Sequence, residues 1–332
     1  MSQPIPEPHT VRKLTYDVYS SLAYLAALEL DVFTPLKDGP LDAAGIAQRI
    51  HADPRRIRNL LYCLVETGLL LLDGDRFSNS AEAQHYLVRG QPRYVGGAYE
   101  QYKLVWRIGL EDTVASIRTG VPQRRWMDLP SDDKAMWLRG LRPQNDITAL
   151  ELTRRWDWNE CRAFADLAGG AGELSIALTR QLPALRATIF EHPTTVPITR
   201  SLVAAAGADD RVSVVTADVI DGQLDGVFDA VAMRYFLQML PAETAIRAIR
   251  NAASILRPGG ALYVCDLILD DSRTSPRDIV RVGVVFLSLF DSEEIFAESD
   301  YRRWMTEAGL IDIERIPTAM GQSIVRGVKP SR

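Results

Sequence analysis

A strand, a glycine turn and a second strand constrain the fold of this chain more than any other stretch, and they span residues 163–191. The apolar run that leads into Asp166 is typical of a buried parallel strand. The turn over residues 166–172 contains three glycines, which bend the backbone sharply and leave bare N–H groups facing a ligand. A helical pattern follows, and a second apolar run then ends on Glu191. This order of elements predicts a cradle for a nucleotide-like cofactor.

The details of the turn indicate which cofactor it holds, although an ordinary strand–helix turn remains the alternative. Asp166, which opens the turn, is absent from the dinucleotide-binding fingerprint. A D-x-x-G-G-x-G turn with an acid on the next strand is typical of S-adenosylmethionine sites, because carbonyls and an acid suit a cationic amino-acid tail better than a pyrophosphate. The sequence therefore predicts S-adenosylmethionine as the cofactor. The predicted contacts are Asp166, Ala168, Gly169, Gly170, Gly172 and Glu191.

Composition excludes several classes of function. The 332 residues are enough for two domains with cores, and a net charge of −5 gives no general attraction to nucleic acid or anionic membranes. The three cysteines match no metal site and no disulfide framework, which favours buried thiols in a reducing compartment. No stretch approaches the ~20 apolar residues of a membrane span, and the leader carries no apolar signal core. We therefore expect a cytoplasmic protein without a metal site.

The first part of the chain, residues 1–98, has the pattern of a winged helix. A helix with Asp42 as its cap, a turn and a second helix over 55–67 come first. The leucine run 69–72, an Asp73-Gly74-Asp75 hairpin turn and residues 76–78 follow them. A winged helix can bind DNA, but three arginines at one helix start do not make a basic patch in an acidic protein. The apolar face of the second helix fits core packing, and the alternative to DNA binding is a dimerisation module in an enzyme.

The rest of the chain divides into a connector and an α/β domain. Residues 99–158 are helical and contain five of the six tryptophans, which makes them a candidate wall for a flat apolar substrate, although core packing is the more common use of such residues. Residues 159–332 alternate apolar runs with helical patterns. Seven strands are predicted, at residues 163–167, 187–190, 211–216, 228–233, 261–265, 310–316 and 322–328.

Over nearly its whole length the chain resembles the small-molecule O-methyltransferases of the caffeate and acetylserotonin type and their bacterial relatives. The D-V-G-G-G-T-G turn of that family is similar to residues 166–172, with Ala168 in place of the first glycine, and its ribose-binding acid resembles Glu191. The resemblance implies an α/β fold, a Rossmann-like class I methyltransferase domain with a mixed seven-stranded sheet, preceded by a mostly helical winged-helix dimerisation domain. It also implies a homodimer.

The resemblance implies further cofactor contacts. The family's acid near the adenine is similar to Asp218, with Val219 beside it. Arg234 corresponds to the basic residue beside the cofactor. Four residues after Arg234 the family carries the histidine that removes the proton of the acceptor hydroxyl, and this chain has Gln238 there. A carboxamide accepts no proton near neutral pH and acts only through hydrogen bonds.

Several residues are candidates to support or replace the missing base. The carboxylate that orients the family's histidine resembles Asp266, which lies at the carboxyl end of a predicted strand and is expected to act as an orienter more than as a base. The family carries a second glutamate, which corresponds to a position near Ile295 of this chain. Glu293 and Glu294 lie one or two places from it. His192, beside the ribose acid, is a third candidate but is more typical of a surface or cofactor-rim residue.

Three functions remain open from the sequence. The first is methyl transfer from S-adenosylmethionine to an oxygen, or a nitrogen or carbon, of a small aromatic or polyketide-like metabolite, without a histidine base. The second is an enzyme that keeps the cofactor but decarboxylates, hydroxylates or cyclises its substrate, as some relatives in this family do. The third is a regulator that senses a ligand and uses its winged helix on DNA.

Overall fold

The computed structural model describes residues 6–292, 294–318 and 321–331. The chain forms two compact units, one that ends at Lys103 and one that begins at Leu104. The three-part division into residues 1–98, 99–158 and 159–332 therefore stays a prediction, and the unit boundary falls five residues into the predicted connector.

The N-terminal unit is mostly helical and has one small sheet. Its strands are antiparallel and lie in the order β1-β3-β2, and a short connection between β2 and β3 forms the predicted hairpin. Asp42 accepts a 2.8 Å hydrogen bond from the Gly45 N–H, so it caps the first helix of the helix–turn–helix as expected. The elements are α1 (His9–Leu30), β1 (Leu41–Asp42), α2 (Ala43–Arg49), α3 (Ile57–Glu66), β2 (Leu70–Asp73), β3 (Arg76–Asn79) and α4 (Ala81–Tyr86).

The second unit contains a seven-stranded sheet with helices on both faces. Its helices are α5 (Tyr99–Thr119, which starts in the first unit), α6 (Ser131–Gly140), α7 (Arg142–Arg155), α8 (Glu173–Gln181), α9 (Val196–Ala205), α10 (Ala242–Ser254), α11 (Arg277–Phe286) and α12 (Glu298–Glu307). Its strands are β4 (Ala163–Leu167), β5 (Arg186–Glu191), β6 (Val212–Thr216), β7 (Phe228–Arg234), β8 (Leu256–Asp266), β9 (Ile311–Pro317) and β10 (Ser323–Val328).

The strand order places the carboxyl ends of five strands at one edge of the sheet. The order is β6-β5-β4-β7-β8-β10-β9, in which the first five strands are parallel and β10 is antiparallel to both neighbours. This confirms the predicted mixed seven-stranded sheet. The chain order reverses between β4 and β7, and in open α/β sheets such a switch point opens a crevice for ligands.

Two apolar cores, one on each face, hold the sheet. On one face, buried side chains of α7, α8 and α9 (Leu152, Leu178 and Val203) pack with β4 and β5. On the other face, Ile249 of α10 and Trp304 of α12 pack with β7 and β8. The helices therefore fix the sheet from both sides, and the carboxyl edge is left to carry polar residues.

Strand β8 begins earlier than the sequence predicts. We expected residues 257–260 to be a turn and the strand to start at Ala261, but β8 starts at Leu256. The residues between form a bulge, because Leu256 pairs with Phe228 while Ala261 pairs with Ala230. Gly260 makes the bulge possible, since a Cβ there would lie 2.9 Å from the Asp229 carbonyl oxygen.

Within the described residues, no helix is long and apolar enough to cross a membrane.

A pair of valine substitutions tests the core beneath the crevice. Val231 of β7 is 0% exposed, whereas Val227, just before the strand, is 68% exposed. Val231→Ala should lower the free energy of unfolding by about 2–3 kcal/mol, because two buried methyl groups are lost and a cavity remains. Chemical denaturation followed by circular dichroism measures this change. Val227→Ala is the control, and a loss of similar size in both variants would contradict this account of the core.

Candidate functional site

The glycine turn follows β4 in the geometry that the sequence predicts. Ala168, Gly170 and Gly172 all have left-handed backbone angles, with φ of 56°, 57° and 73°. Two of the three are glycines, which take such angles at no steric cost, and Ala168 takes one despite its Cβ. The Ala168 N–H donates to the Phe190 carbonyl oxygen at 2.8 Å, so the neighbouring strand holds this residue in place.

Glycine is required in the turn for a second reason, which is close approach. A Cβ on Gly169 would lie 2.8 Å from Cγ of Asp166 and 2.9 Å from Cγ2 of Ile189. A Cβ on Gly170 would lie 3.0 Å from a Leu138 methyl carbon. The turn therefore presents backbone rather than side chains to the crevice, and it leads directly into the N-terminus of α8.

Glu191, the last residue of β5, is bonded to the turn. Its carboxylate accepts hydrogen bonds from the Gly170 N–H at 2.8 Å and from the N–H of the next residue, His192, at 2.7 Å. Burial raises the pKa of Glu191, and these two hydrogen bonds partly offset the rise. An acid at the end of the strand next to a glycine turn is where a ribose is held in nucleotide-binding sheets, so Glu191 fits the predicted role.

Asp166 supports the turn from inside. It is buried, and it accepts a 2.7 Å hydrogen bond from the Ser175 hydroxyl of α8. Burial raises its pKa to about 6, while the bond from Ser175 and the charge of Arg234 act in the opposite direction. Asp166 therefore joins the turn to the helix, and its carboxylate is engaged within the protein.

Asp218 and Val219 follow β6 at the same edge of the sheet. The Asp218 carboxylate accepts the Ile220 N–H at 2.9 Å and folds the loop back on itself. Val219 is buried in the core, and its carbonyl accepts a bond from Asn251 at 3.1 Å. The structure thus brings both residues to the predicted edge and holds them by local contacts.

Arg234 ends β7 beside the turn, and its side chain is half-buried. Its guanidinium carbon lies 4.2 Å from the centre of the Tyr235 ring. Nε and Nη2 are buried without a hydrogen-bond acceptor among the residues that the structure describes. A cation with buried free donors needs an anion, and S-adenosylmethionine carries a carboxylate. Arg234, the bare turn and Glu191 together fit this cofactor.

Gln238 lies in a short 3-10 turn, residues 237–239, after β7, and it is 3% exposed. Its Oε1 accepts the Leu267 N–H at 2.8 Å. A backbone N–H can only donate, so this bond fixes which end of the amide is the oxygen. No residue in the described ranges accepts a bond from Nε2. The side chain therefore offers a donor to whatever lies beside it.

Asp266, the last residue of β8, holds the turn that carries Gln238. Its Oδ2 accepts the Tyr301 hydroxyl at 3.0 Å and the Gln238 backbone N–H at 3.3 Å. It is fully buried, and this burial raises its pKa to about 7. The geometry supports the expected role of an orienter, because the carboxylate contacts the turn and not the open crevice.

The other candidate bases are bonded to residues other than Gln238. The side chain of Glu294 is 56% exposed and pairs with Arg273 at 2.6 Å. His192 is exposed, and its Nδ1 lies 2.9 Å from the Thr194 hydroxyl. Glu293 lies outside the described residues. Among the described residues, no cluster of three or more histidine, cysteine or acidic side chains could hold a metal ion.

Four of the connector's five tryptophans fall into two groups. Trp126 and Trp137 meet edge to face at 5.1 Å, in the apolar cluster that also contains Met239, the neighbour of Gln238. Trp156 and Trp158 instead contact Tyr263 of β8, with ring centres 5.2 and 5.4 Å away, and belong to the core under the sheet. Trp126 and Trp137 therefore remain candidates for the predicted substrate wall, whereas Trp156 and Trp158 belong to the core.

Several residues of this region were not predicted from the sequence. Glu173, the first residue of α8, directly follows the last glycine of the turn, and that position was a usable signal. Tyr301 comes from α12 and Asn145 from α7, and no sequence pattern connects either helix to the turn. Phe286 and Phe290 pack with each other at 4.8 Å in the cluster of Trp126, and neither was predicted as a site residue.

Comparison with known proteins gives consistent results. Residues 119–311 match the O-methyltransferase domain, and residues 13–89 match the O-methyltransferase dimerisation domain. The chain is 30% identical to the tetracenomycin polyketide synthesis 8-O-methyl transferase TcmO of Streptomyces glaucescens, over 97% of both chains. It is 27% identical to the 3-hydroxy-5-methyl-1-naphthoate 3-O-methyltransferase of Streptomyces sahachiroi, over 97% of this chain and 95% of that one.

A solved structure has the same fold. Human N-acetylserotonin methyltransferase in complex with S-adenosylmethionine superposes with a TM-score of 0.81 at 18% identity, over 99% of this chain and 100% of that one. The domain matches cover more than half of this chain, and the glycine turn, Glu191 and Arg234 fit the cofactor. The chain therefore belongs to the O-methyltransferase family, as an S-adenosylmethionine-dependent methyltransferase with a dimerisation domain.

Proposed function

We propose that this enzyme methylates an oxygen of a small aromatic or polyketide-like metabolite that reaches the site already ionised. The observation that carries the proposal is the amide of Gln238, whose Oε1 is engaged by the Leu267 N–H and whose Nε2 is left as a donor. A donor stabilises an oxygen anion, and it cannot remove a proton from a neutral hydroxyl. The names of the two sequence relatives, which act in polyketide synthesis and on a hydroxynaphthoate, support this substrate class.

The cofactor supplies a methyl group on a positively charged sulfur, which departs as a neutral thioether when an oxygen anion takes the methyl. The protein's contribution is positional. Gln238 orients the acceptor oxygen, while Asp266 and Tyr301 hold the turn on which Gln238 lies. Fixing two reactants in line can lower the activation barrier by ~7–11 kcal/mol, whereas a general base raises the rate ~10²–10⁴-fold. An ionised acceptor therefore makes the missing histidine dispensable.

The apolar cluster beside Gln238 forms the proposed pocket for the acceptor's ring system. Trp126 and Trp137 belong to it with Phe286 and Phe290 of the α11 region. Aromatic side chains stack on flat ligands and exclude water, which strengthens the hydrogen bond from Gln238 to an anion.

We also propose a homodimer formed through the dimerisation domain, because α1 exposes Val11, Leu14 and Leu22 along its length.

The other two functions have less support. The relatives are named for methyl transfer, which disfavours an enzyme that leaves the cofactor intact. The helix–turn–helix region matches a dimerisation domain, which disfavours a DNA-binding regulator.

Incubation of the purified enzyme with methyl-labelled S-adenosylmethionine and a panel of phenols, enols and amines tests the proposed reaction. We expect label in the acceptor and one equivalent of S-adenosylhomocysteine per product. A product with an unchanged number of methyl groups, formed while the cofactor stays intact, would contradict it.

Substitution of Gln238 tests its role as a donor. Gln238→Leu removes Nε2 and should lower kcat roughly 10²-fold on an ionised acceptor, as the loss of one oxyanion donor does in other enzymes. Gln238→His should raise turnover of neutral phenols, because an imidazole can accept their proton. Binding of S-adenosylhomocysteine, measured by calorimetry, should be unchanged in both variants. An unchanged kcat in Gln238→Leu would rule out the proposed contact.

The pH dependence of the wild-type enzyme tests whether the acceptor arrives ionised. The rate should rise with pH, with a midpoint that follows the pKa of the acceptor when phenols of different acidity are compared. The sign follows because only the anion reacts, and its fraction grows as pH passes the acceptor's pKa. A midpoint near 7 for every phenol would instead identify Asp266 as a base, since burial raises its pKa to about 7.

Variants of the supporting pair test positioning. Tyr301→Phe removes the hydroxyl that donates to Asp266, and Asp266→Asn changes the carboxylate that holds the Gln238 turn. Each should lower kcat by about tenfold, because a hydrogen bond to a charged group is worth ~1.5–3 kcal/mol. KM for the cofactor should stay constant. If both parameters change together in Tyr301→Phe, the pair serves folding rather than the position of Gln238.

A further inference from the structure

Among the acidic side chains around the glycine turn, Glu173 has the weakest internal contacts. Asp166 accepts from the Ser175 hydroxyl, Glu191 from two backbone N–H groups, and Asp218 from the Ile220 N–H, all within 3.0 Å. Glu173 accepts one long bond, 3.4 Å from Nδ2 of Asn145. This carboxylate therefore has capacity for a further donor, at the point where the turn enters α8.

Glu173 is half-buried, so its charge is not simply hydrated. Burial raises its pKa to about 7. The positive charges of Arg142 and Arg234 and the hydrogen bond from Asn145 lower this pKa. The negative charge of Asp146 raises it further. A carboxylate in this setting gains from a cationic partner more than an exposed one does.

Arg234 presents the opposite charge near the same space. Its Nε and Nη2 atoms are buried without an acceptor among the described residues, although its charge acts on both Glu173 and Asp166. No ion pair within the described ranges joins Arg234 to Glu173. A cation with two buried free donors and an acid with only one long hydrogen bond therefore lie beside the glycine turn without pairing with each other.

We propose that Glu173 binds the ammonium group and Arg234 the carboxylate of the cofactor's amino-acid end. The inference rests on S-adenosylmethionine being the cofactor, and it assigns the two charges of that end to two side chains. An α-amino acid carries both charges on one carbon, so it satisfies both residues at once. The sequence signal is the acid that directly follows the last glycine of the turn, Gly172.

Calorimetry with three ligands tests the assignment on the full-length enzyme. S-adenosylhomocysteine has the amino acid but no sulfonium charge, S-adenosylmethionine has both, and 5′-methylthioadenosine has neither. Glu173→Gln should weaken the binding of S-adenosylhomocysteine about 10- to 150-fold, the range for a hydrogen bond to a charged group. Binding of 5′-methylthioadenosine should change less than about twofold, which also shows that the variant is folded. Arg234→Met should behave in the same way.

Asp146→Asn is the matched control, because it removes another acid from the same surroundings, one whose charge acts on Glu173. The ratio of the affinities for S-adenosylhomocysteine and 5′-methylthioadenosine should be the same in this variant as in the wild-type enzyme. Equal losses for S-adenosylhomocysteine and 5′-methylthioadenosine in Glu173→Gln, or no loss for either, would overturn the assignment.

Two further outcomes also decide the question. A loss confined to S-adenosylmethionine would show that Glu173 acts on the sulfonium, and would overturn the assignment to the ammonium. Failure of the wild-type enzyme to bind S-adenosylhomocysteine at all would overturn both the cofactor and this inference. The wild-type titration therefore separates the two claims.

Discussion

The hydrogen bond from the Gly170 N–H to the Glu191 carboxylate is the contact on which the site depends. It joins the end of β5 to a turn that starts from β4, so two neighbouring parallel strands present one surface. The turn could take other shapes, because glycines allow many. Glu191 selects one of them, and its buried charge is in turn satisfied by the backbone it fixes. This bond shapes the turn, and the bond from the Ser175 hydroxyl to Asp166 joins that turn to α8, of which Glu173 is the first residue.

The proposed acceptor side depends on a different principle, the use of backbone donors to orient side chains. The Leu267 N–H would extend the ladder between β7 and β8 if β7 continued, but β7 ends at Arg234 and the amide of Gln238 takes the free donor. Asp266, at the end of β8, accepts the backbone N–H of the same residue. Gln238 is thus held at its side chain and at its main chain, which is the preorganisation that the proposed mechanism without a base requires.

Much of the fold and of the cofactor half followed from the sequence, because both rest on short-range patterns. The glycine turn, Glu191 and the seven strands are local signals, and Arg234 follows from a resemblance at one strand end. The start of β8 was wrong by five residues, because a Pro-Gly-Gly stretch forms a bulge as readily as a turn. Tyr301 and Asn145 could not be found, since α12 and α7 meet the sheet only through tertiary packing. The role of Glu294 as a base stays a prediction, and its ion pair with Arg273 gives it no support.

The locked orientation of the Gln238 amide has a consequence for how acceptor preference can change. Because Oε1 is held by a main-chain group, the chemical character of the pocket at this point rests on one nitrogen atom. A glutamate in the same place could keep the bond to Leu267 and would turn its second oxygen toward the acceptor, where it would repel an anion and could take the proton of a neutral hydroxyl. A single exchange of nitrogen for oxygen would thus shift the preference from ionised to neutral acceptors while the rest of the structure stayed the same.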